Sequence, residues 1–280
     1  MKETLRKMAG LSTRGHDTTK GDAATSEEDA NKAAAPRALA DVLALPSDAD
    51  VENAASARPV NVPWGRGRTC FTVDGFLADE ECRRLIEISE GCSYEPALVN
   101  VGMGRQIMMS DVRKSGRVIL DSPEATEIIW RRLKHLVPPE IVPGVSSKWR
   151  AVGLNERLRF LKYSPGDYFA PHSDGRFVQE QGPHKGETSY MTVMLYLNEP
   201  AKGGETNFLN PRDQDEAVSV WPRAGLALVF DNDLLHEGAM LQRGVKYAIR
   251  TDVMFARDAP PVAATATAAP TGRADEVDLC

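Results

Sequence analysis

The residues whose types and spacing could do chemistry lie in the second half of the chain. In YFAPHSDG, His172 and Asp174 are two positions apart, so on an extended strand both side chains would point to the same face. His236 lies in DLLHEGAMLQRGVKY, and Lys246 follows ten residues later, after a turn at Arg243-Gly244. We expect this hairpin return to place Lys246 on a neighbouring strand, inside the same cavity.

Two neutral imidazoles and one carboxylate on one face would hold a metal ion and leave coordination positions open. This donor set suits non-haem Fe(II) oxygen chemistry, whereas a structural zinc site closes its coordination. The H-x-D pair alone is weak evidence, because a protein with five histidines can produce it by chance as a surface pair. The hypothesis therefore depends on His236 and Lys246 as well.

Two amphipathic helices precede these residues. Asp79 is predicted as the N-cap of the first, whose Cys82, Leu85, Ile86 and Ser89 share one face, and Gly91 as its stop. The second is predicted to begin at Ser122-Pro123 and to end before Pro138-Pro139. Each helix should pack its apolar face against another part of the fold.

From Arg157 the pattern changes to short β-rich runs separated by Gly, Pro, Asn and Asp: RLRFLKY, YMTVMLYLN, AVSVW, LALVF and YAIRTDVMF. Such a series predicts an antiparallel sandwich or barrel. We therefore expect a mainly β fold with flanking helices, in which the N-terminal helices pack on one sheet.

The two ends of the chain differ in composition from the part between them. Residues 1–58 are rich in Ala, Asp, Glu, Lys and Thr with almost no aromatics, which predicts a disordered arm, apart from a short helix around Arg37 to Leu45. Residues 258–280 form an Ala/Pro/Thr segment that predicts a disordered tail. One domain is expected over residues 59–257.

Composition narrows the classes of partner. The formal net charge of -6 offers no basic field for a phosphate backbone, so nucleic acid is not indicated. The four cysteines form no C-x-x-C pair, and the sequence shows neither a secretory signal nor a run of about 18 apolar residues that could span a membrane. We expect reduced thiols and a cytoplasmic protein; the composition leaves the oligomeric state open.

These motifs, in their order, resemble a known family. Tyr163, His172-x-Asp174, T-x-x-x-Y-L-N, G-G-E-T-x-F, P-x-x-G-x-A-x-x-F, His236 and Lys246 follow one another as in the catalytic domain of prolyl 4-hydroxylases, within the Fe(II)/2-oxoglutarate-dependent oxygenase superfamily. The resemblance runs from about Phe71 to Phe255 and includes DVRKSG. Each motif is modest alone, but their order and spacing are specific.

The resemblance implies a double-stranded β-helix, or jelly roll, in which His172, Asp174 and His236 bind Fe(II) and act as the catalytic centre. It also implies 2-oxoglutarate as co-substrate, with Lys246 facing its far carboxylate and the hydroxyls of Tyr163 and Thr192 bonding to the same carboxylate. O2 would be the oxidant, ascorbate a possible further reductant, and succinate and CO2 the co-products of C–H hydroxylation. For Tyr163 and Thr192, ordinary strand packing is the alternative.

Four arginines are candidates for binding. Arg250 follows Lys246 by four residues on the same strand face and could be a second cofactor anchor, a substrate contact or the ion-pair partner of Asp252. Arg113, in the segment Gly102 to Gly116 that could fold over substrate as a lid, is a candidate substrate contact. Arg157 and Arg159 are the others.

The arginines bear on which substrate the site would take. Arg159 stands where a glutamine is expected in typical prolyl hydroxylases, and Asp252 where an aromatic residue is often found. Arg157 and Arg159 at the mouth would suit an anionic group on the substrate, which is expected to be a peptide, a protein or a small amino-acid-like molecule. The alternative for both is a solvated barrel rim.

Two functions from other classes are kept as alternatives. One is a catalytically silent jelly roll used as a binding or sensor module, against which the intact ligands and Lys246 count. The other is a cupin-like enzyme that uses Zn or Mn, in which the Lys, Tyr and Thr set would have no evident purpose.

Overall fold

The computed structural model describes residues 19–44, 57–100, 106–107, 109, 111–143 and 147–258. The described ranges contain the helices α1 (Thr19–Leu43), α2 (Asp79–Glu90) and α3 (Pro123–Leu133). Their strands are β1 (Ala57–Pro59), β2 (Cys70–Val73), β3 (Glu95–Pro96), β4 (Val99–Asn100), β5 (Gln106–Ile107), β6 (Arg113–Lys114), β7 (Gly116–Asp121), β8 (Glu140–Ile141), β9 (Trp149–Leu154), β10 (Arg157–Tyr163), β11 (Tyr168–His172), β12 (Thr188–Tyr196), β13 (Lys202–Gly203), β14 (Thr206–Asn210), β15 (Asp213–Val220), β16 (Ala227–Asp231), β17 (His236–Gly238), β18 (Leu241–Arg243) and β19 (Lys246–Arg257).

Two antiparallel sheets carry the fold. The major sheet has the order β1-β2-β16-β12-β19-β10-β7-β3, with β9 beside β19 and β8 beside β9. The minor sheet has the order β15-β14-β17-β11-β6. Neighbours in both sheets are mostly far apart in sequence, which is the pattern of strands that cross between sheets. The expected mainly β, jelly-roll-like architecture is confirmed.

The major sheet buries both of its faces. On the outer face, Phe160, Val193 and Ile249 pack in one apolar cluster with helix residues such as Leu85 and Ile129. On the inner face, other strand residues, among them Tyr196 and Phe230, pack with Phe208 and Val220 of the minor sheet. The prediction that helices pack on one sheet is confirmed, and the inner cluster lies next to the candidate metal ligands.

The prediction of a disordered arm over residues 1–58 is wrong for residues 19–36, because the short helix expected around Arg37 to Leu45 is the end of a longer helix, α1 (Thr19–Leu43). Ala35, Leu39, Val42 and Leu43 are buried in the outer cluster, and their spacing puts them on one face of the helix. The segment has few apolar residues, and α2 and α3 cover nearly all of the apolar residues on this face. Burial of these side chains in the folded protein therefore offsets the conformational entropy lost when the helix forms. Residues 1–18, 45–56 and 259–280 lie outside the described residues, so the boundary at 58 and the disordered tail stay predictions.

The two predicted helices form where expected. Ala78, rather than Asp79, is the N-cap of α2, and its backbone N–H donates to the Glu81 carboxylate at 2.8 Å. Gly91 ends that helix as predicted. Ser122 caps α3, and its hydroxyl accepts from the N–H of Ala125 at 3.3 Å.

Three further expectations concern single features. Cys70, Cys82 and Cys92 are free and buried, as expected for reduced thiols. The described helices include none with the length and apolarity needed to cross a bilayer. Six of the fifteen residues of the expected lid, 102–105, 108 and 110, lie outside the described residues, so the lid stays a prediction.

Candidate metal centre

His172, Asp174 and His236 come together at one end of the minor sheet. Their potential ligand atoms all lie within 4.8 Å of one another, and the two imidazole rings are 4.3 Å apart between centroids. The Nε2 atoms of His172 and His236 each lie 3.8 Å from a different oxygen of Asp174. The predicted triad is confirmed as a cluster that could hold one ion.

Strand pairing explains how distant residues meet. His172 is the last residue of β11 and His236 the first of β17, and these two are direct partners in the antiparallel register. Asp174 lies just beyond the end of β11, where its N–H donates to the carbonyl of Asn232 at 2.8 Å. The expectation that one extended strand carries both His172 and Asp174 therefore holds only as far as His172.

Hydrogen bonds set the tautomer of both histidines. Nδ1 of His172 lies 2.8 Å from the carbonyl of Ala170, and Nδ1 of His236 lies 2.9 Å from that of Leu234. Each Nδ1–H thus donates to a carbonyl, which leaves the Nε2 lone pairs directed toward Asp174. Burial and the neighbouring His236 lower the pKa of His172 to about 3, and burial also lowers that of His236. Both rings are neutral near pH 7, as metal ligands must be.

Asp174 is held as a carboxylate by its neighbours. Burial alone would raise its pKa, but the charge of the Arg250 guanidinium and the hydrogen bond from Thr192 hold the pKa of Asp174 well below its usual range. The Arg250 guanidinium lies 3.1 Å from Oδ1, and the Thr192 hydroxyl lies 2.5 Å from Oδ2. The residues present therefore fit a divalent ion with nitrogen and oxygen preferences, such as Fe(II).

The Thr192 hydroxyl lies beside the metal ligand Asp174. This hydroxyl is 2.5 Å from Asp174 and 3.1 Å from the side-chain oxygen of Asn232, and on β19 the strand partner of Thr192 is Asp252, six residues beyond Lys246. These contacts orient the metal ligand Asp174, and the role of Thr192 as an anchor for the far carboxylate stays a prediction.

Arg250 likewise faces the metal ligands. It forms ion pairs with Asp174 at 3.1 Å and with Asp252 at 3.0 Å, so the ion-pair alternative for Arg250 is confirmed. Nothing in these contacts places it beside the Lys246 amine as a second cofactor anchor, and that role stays a prediction.

Lys246 reaches the cavity from the opposite sheet. It begins β19 in the major sheet, whereas His236 lies in the minor sheet, so the expected hairpin onto a neighbouring strand is wrong. The intervening β18 pairs with β13 instead. Lys246 is nonetheless buried, 3% exposed, and its Nζ donates to the carbonyl of Gly204 at 2.6 Å.

The Lys246 amine has a setting that suits an anionic ligand. It lies 5.1 Å from the ring centre of Tyr163 and 5.4 Å from that of Tyr196. Burial lowers the pKa of Lys246 to about 8, although the charge of Glu205 opposes this. A buried ammonium whose pKa is lowered lacks full charge compensation, and a ligand carboxylate would supply it.

Two hydroxyls near Lys246 were missed by sequence reasoning. Thr206 Oγ1 lies 2.7 Å from the Tyr196 hydroxyl, and both side chains are buried. Tyr163 is the cross-strand partner of Lys246 and its side chain bonds to Arg113, so its bond to the far carboxylate stays a prediction. Thr206 stands in the G-G-E-T motif, so the motif signalled the right segment although only its turn was interpreted.

Gly203 and Gly204 form the turn expected for G-G-E-T, with φ of 80° and 86°. A Cβ on Gly204 would lie 3.2 Å from Cδ of Lys246. A side chain here would be strained in its backbone and would crowd the lysine stem. Because Gly204 has no side chain, the turn leaves room for the Lys246 side chain to extend into the cavity.

The three candidate substrate arginines divide into two groups. Arg113 stacks on Phe169 at 4.6 Å, and Phe169 stacks on His172 at 3.6 Å between ring centroids, so Arg113 lines the site. Arg159 is 3.3 Å from Asp252 and 19% exposed. Arg157 is 47% exposed and bonds to Asp121 at 2.8 Å, as expected of a solvated rim.

Comparison with known proteins gives consistent matches. Residues 158–251 match the profile of the 2OG-Fe(II) oxygenase superfamily. The chain is 28% identical over 205 residues to probable prolyl 4-hydroxylase 8 of Arabidopsis thaliana, which covers 64% of this chain and 66% of that protein. It is 26% identical over 232 residues to prolyl 4-hydroxylase 1 of the same plant, covering 76% of this chain and 78% of that protein.

A solved structure also matches. The viral collagen prolyl hydroxylase of Paramecium Bursaria Chlorella virus-1 aligns with a TM-score of 0.45 and 20% identity, over 68% of this chain and 98% of that one. The first of the two plant relatives is covered over just under two thirds of its length.

Proposed function

We propose, from the premise that this chain contains a 2OG-Fe(II) oxygenase domain of the prolyl 4-hydroxylase-like kind, that it hydroxylates a peptide or protein at an unactivated C–H bond. The observation that carries the proposal is the triad of His172, Asp174 and His236 on one sheet with the Lys246 amine buried on the other. Metal ligands on one sheet and a buried cation on the other are the two kinds of group that a metal-chelating dicarboxylate needs.

The residues of the site have separable tasks. When bound, Fe(II) supplies the redox chemistry by which 2-oxoglutarate and O2 yield succinate, CO2 and a hydroxylated substrate carbon. The two histidines and Asp174 would hold the ion, while Lys246, Tyr163 and Thr206 would bind the far carboxylate of 2-oxoglutarate. Thr192 and Arg250 keep Asp174 ionised and oriented.

Exclusion of water is the second task of this site. His236 is buried and packs between Phe208, at 6.2 Å, and Phe230, at 4.7 Å between ring centroids. Apolar surroundings strengthen the electrostatic contacts of a bound dicarboxylate. The mouth, by contrast, has the half-buried Arg113 and Phe169 on the open side of His172.

The test is anaerobic titration of the protein with Fe(II) and 2-oxoglutarate, followed by exposure to O2. We expect a weak visible absorption band from the chelate and then succinate. His236→Ala should lose both signals because it removes one ligand. His184→Ala is the matched control, since His184 is exposed and pairs with Glu187 away from the site. Absence of both signals in the wild-type protein would contradict the proposal.

Three finer points stay predictions. A proline residue as the target rests on the names of the relatives. Use of ascorbate is tested by the effect of added ascorbate on sustained turnover. A cytoplasmic location is tested by cell fractionation.

A further inference from the structure

Charged residues continue from the metal ligands along the inner face of the major sheet. Arg250 is the direct cross-strand partner of Arg159, and Asp252 follows Arg250 by two residues on the same face. Met194 and Thr192 on β12 are the partners of Arg250 and Asp252. The part of the cavity beside Asp174 is therefore charged, although it lies in a β-barrel interior.

Ion pairs connect this face to the metal site in one series. Arg250 contacts Asp174 at 3.1 Å and Asp252 at 3.0 Å, and Asp252 contacts Arg159 at 3.3 Å. Asp252 is 2% exposed, whereas Arg159 and Arg250 are each 19% exposed. Solvent therefore reaches both guanidiniums, while the carboxylate between them is buried.

The guanidiniums outnumber the carboxylates that face them. Arg113, Arg159 and Arg250 provide three positive charges, and the acidic partners are Asp252 and the metal ligand Asp174. Nε of Arg250 is buried and has no hydrogen-bond acceptor among the described residues. Arg113 bonds to Ser115 at 3.2 Å and to the side chain of Tyr163, and it stacks on the Phe169 ring; none of these three partners is a carboxylate.

Burial makes this surplus costly unless a ligand offsets it. Burial lowers the pKa of Arg113 and of Arg159, and other arginines lower them further. Buried like charges on facing strands are destabilising, and the site is open to solvent at Arg159. An incoming anion would meet several desolvated donors in a pocket of low dielectric.

Building on the proposed function, we infer that the substrate is an acidic peptide, which places a carboxylate side chain against Arg159 while the neighbouring residue faces the iron. A guanidinium binds a carboxylate through two N–H groups, and the hydrogen bond of Arg159 to Asp252 goes through Nη1 alone. Asp252 fixes the orientation of Arg159 through that bond. Arg159 is thus a substrate-specificity residue, and Asp252 a positioning residue.

Arg157 supplies an internal comparison. It is two residues from Arg159 on the same strand, but it is engaged by Asp121 through two hydrogen bonds, at 2.8 and 2.9 Å. Its side chain is 47% exposed. Its charge is therefore already neutralised at the surface, and its loss should not change selectivity.

The experiment measures peptide binding and turnover with the full chain loaded with 2-oxoglutarate. The probes are blocked peptides of equal length with one central proline, flanked by Glu, Gln or Lys. Binding is followed by fluorescence anisotropy with Mn(II) in place of iron, and turnover by succinate with Fe(II) and O2. We expect the Glu peptide to bind about tenfold more tightly than the Gln peptide, and the Lys peptide most weakly.

Variants assign the preference to one residue. Arg159→Gln should bind the Glu and Gln peptides equally, whereas Arg159→Lys should retain part of the preference because it keeps the charge. Arg157→Gln should behave as wild type. Thermal unfolding of each variant confirms folding. Since a free amino acid offers its own α-carboxylate, L-proline is a further arm, and turnover of L-proline without turnover of the Glu peptide would overturn the peptide assignment.

The outcomes separate the two proposals. If the wild-type protein shows no chelate band and no succinate, the oxygenase function itself fails. If those signals are present but the Glu and Gln peptides bind equally, or if Arg159→Gln keeps the preference, only the inference about acidic substrates is overturned.

Discussion

At the scale of single residues, the site separates two hydroxyls that the sequence alone does not distinguish. Thr192 and Thr206 both lie on strands and are both buried. Thr192 is 2.5 Å from Asp174, while Thr206 is 2.7 Å from the hydroxyl of Tyr196, whose ring faces Lys246. One therefore supports the metal ligand, and the other belongs to the end of the cavity near the amine.

This difference predicts that the same substitution, Thr to Val, weakens the binding of a different ligand at each position. Thr192→Val should weaken metal binding by about tenfold with little change in affinity for 2-oxoglutarate, because it removes a partner of a ligating carboxylate. Thr206→Val should weaken 2-oxoglutarate binding and leave metal affinity unchanged. Isothermal titration with Mn(II) and then with 2-oxoglutarate measures both. If Thr192→Val weakened 2-oxoglutarate binding alone, the family-based role would be right after all.

Lys246 predicts a pH dependence of co-substrate binding. Burial lowers its pKa to about 8 in the free protein, so the amine is charged below that pH and increasingly neutral above it. The Kd for 2-oxoglutarate should be level below about pH 7.5 and should rise about tenfold per pH unit well above pH 8, since binding then requires uptake of a proton.

The control for this prediction is Lys246→Arg, which stays charged throughout the range. Any 2-oxoglutarate binding that remains in this variant should not vary between about pH 7 and pH 9.5. A wild-type Kd that is equally level over that range would show that Lys246 does not titrate in the way its burial implies.

At the scale of elements, the three helices are joined by one buried ion pair. Arg132 of α3 bonds to Glu81 of α2 at 2.9 Å and to the carbonyl of Leu43 in α1 at 2.7 Å. Both charged side chains are 4% exposed. Glu81 also accepts from the backbone N–H of Ala78, the N-cap residue of its own helix, so a single carboxylate caps α2 and pairs with α3.

Removal of one partner should be costly. Arg132→Leu leaves the Glu81 carboxylate buried without its pair and should lower the free energy of unfolding by about 3–5 kcal/mol. The double variant with Glu81→Leu should recover part of that loss. Urea unfolding followed by circular dichroism gives both values.

Arg131→Ala is the matched control, since Arg131 is 60% exposed and pairs with Glu127 on the surface. Its substitution should change the free energy of unfolding by less than about 1 kcal/mol. Equal losses for Arg131→Ala and Arg132→Leu would refute the joining role of the buried pair.

At the scale of the whole molecule, the cavity lies between two sheets that contribute different groups. The two histidines come from the minor sheet and Lys246 from the major sheet. A dicarboxylate that contacts the metal and the amine together would therefore connect the sheets. Ligand binding and the stability of the barrel should be coupled for this reason.

We expect Mn(II) with 2-oxoglutarate to raise the melting temperature more than Mn(II) alone, because each ligand bound only to the folded state stabilises by mass action, about 2.7 kcal/mol at one hundred times its Kd. Differential scanning fluorimetry measures the shifts. Lys246→Met should keep the shift from the metal and lose the added shift from 2-oxoglutarate. A full added shift in that variant would remove Lys246 from the binding site.

The sequence by itself determined the chemistry and the kind of fold. Two positions along a strand are a local relation, so His172 and Asp174 could be recognised as neighbours, and the β-rich runs after Arg157 predicted an antiparallel barrel. The helices α2 and α3 also followed from local signals, such as Ser122-Pro123 at the start of α3. The order of the motifs along the chain predicted His236 as the third metal ligand.

Only the tertiary structure decided which groups face each other across the cavity. Strand register placed Thr192 beside Asp252 and Arg250 beside Arg159, and register depends on pairing between residues far apart in the chain. The same holds for Lys246, which enters from the opposite sheet, and for α1, whose few apolar residues became stable only when α2 and α3 covered them. Contacts of this kind leave no local pattern, because their energy comes from partners that the chain brings together on folding.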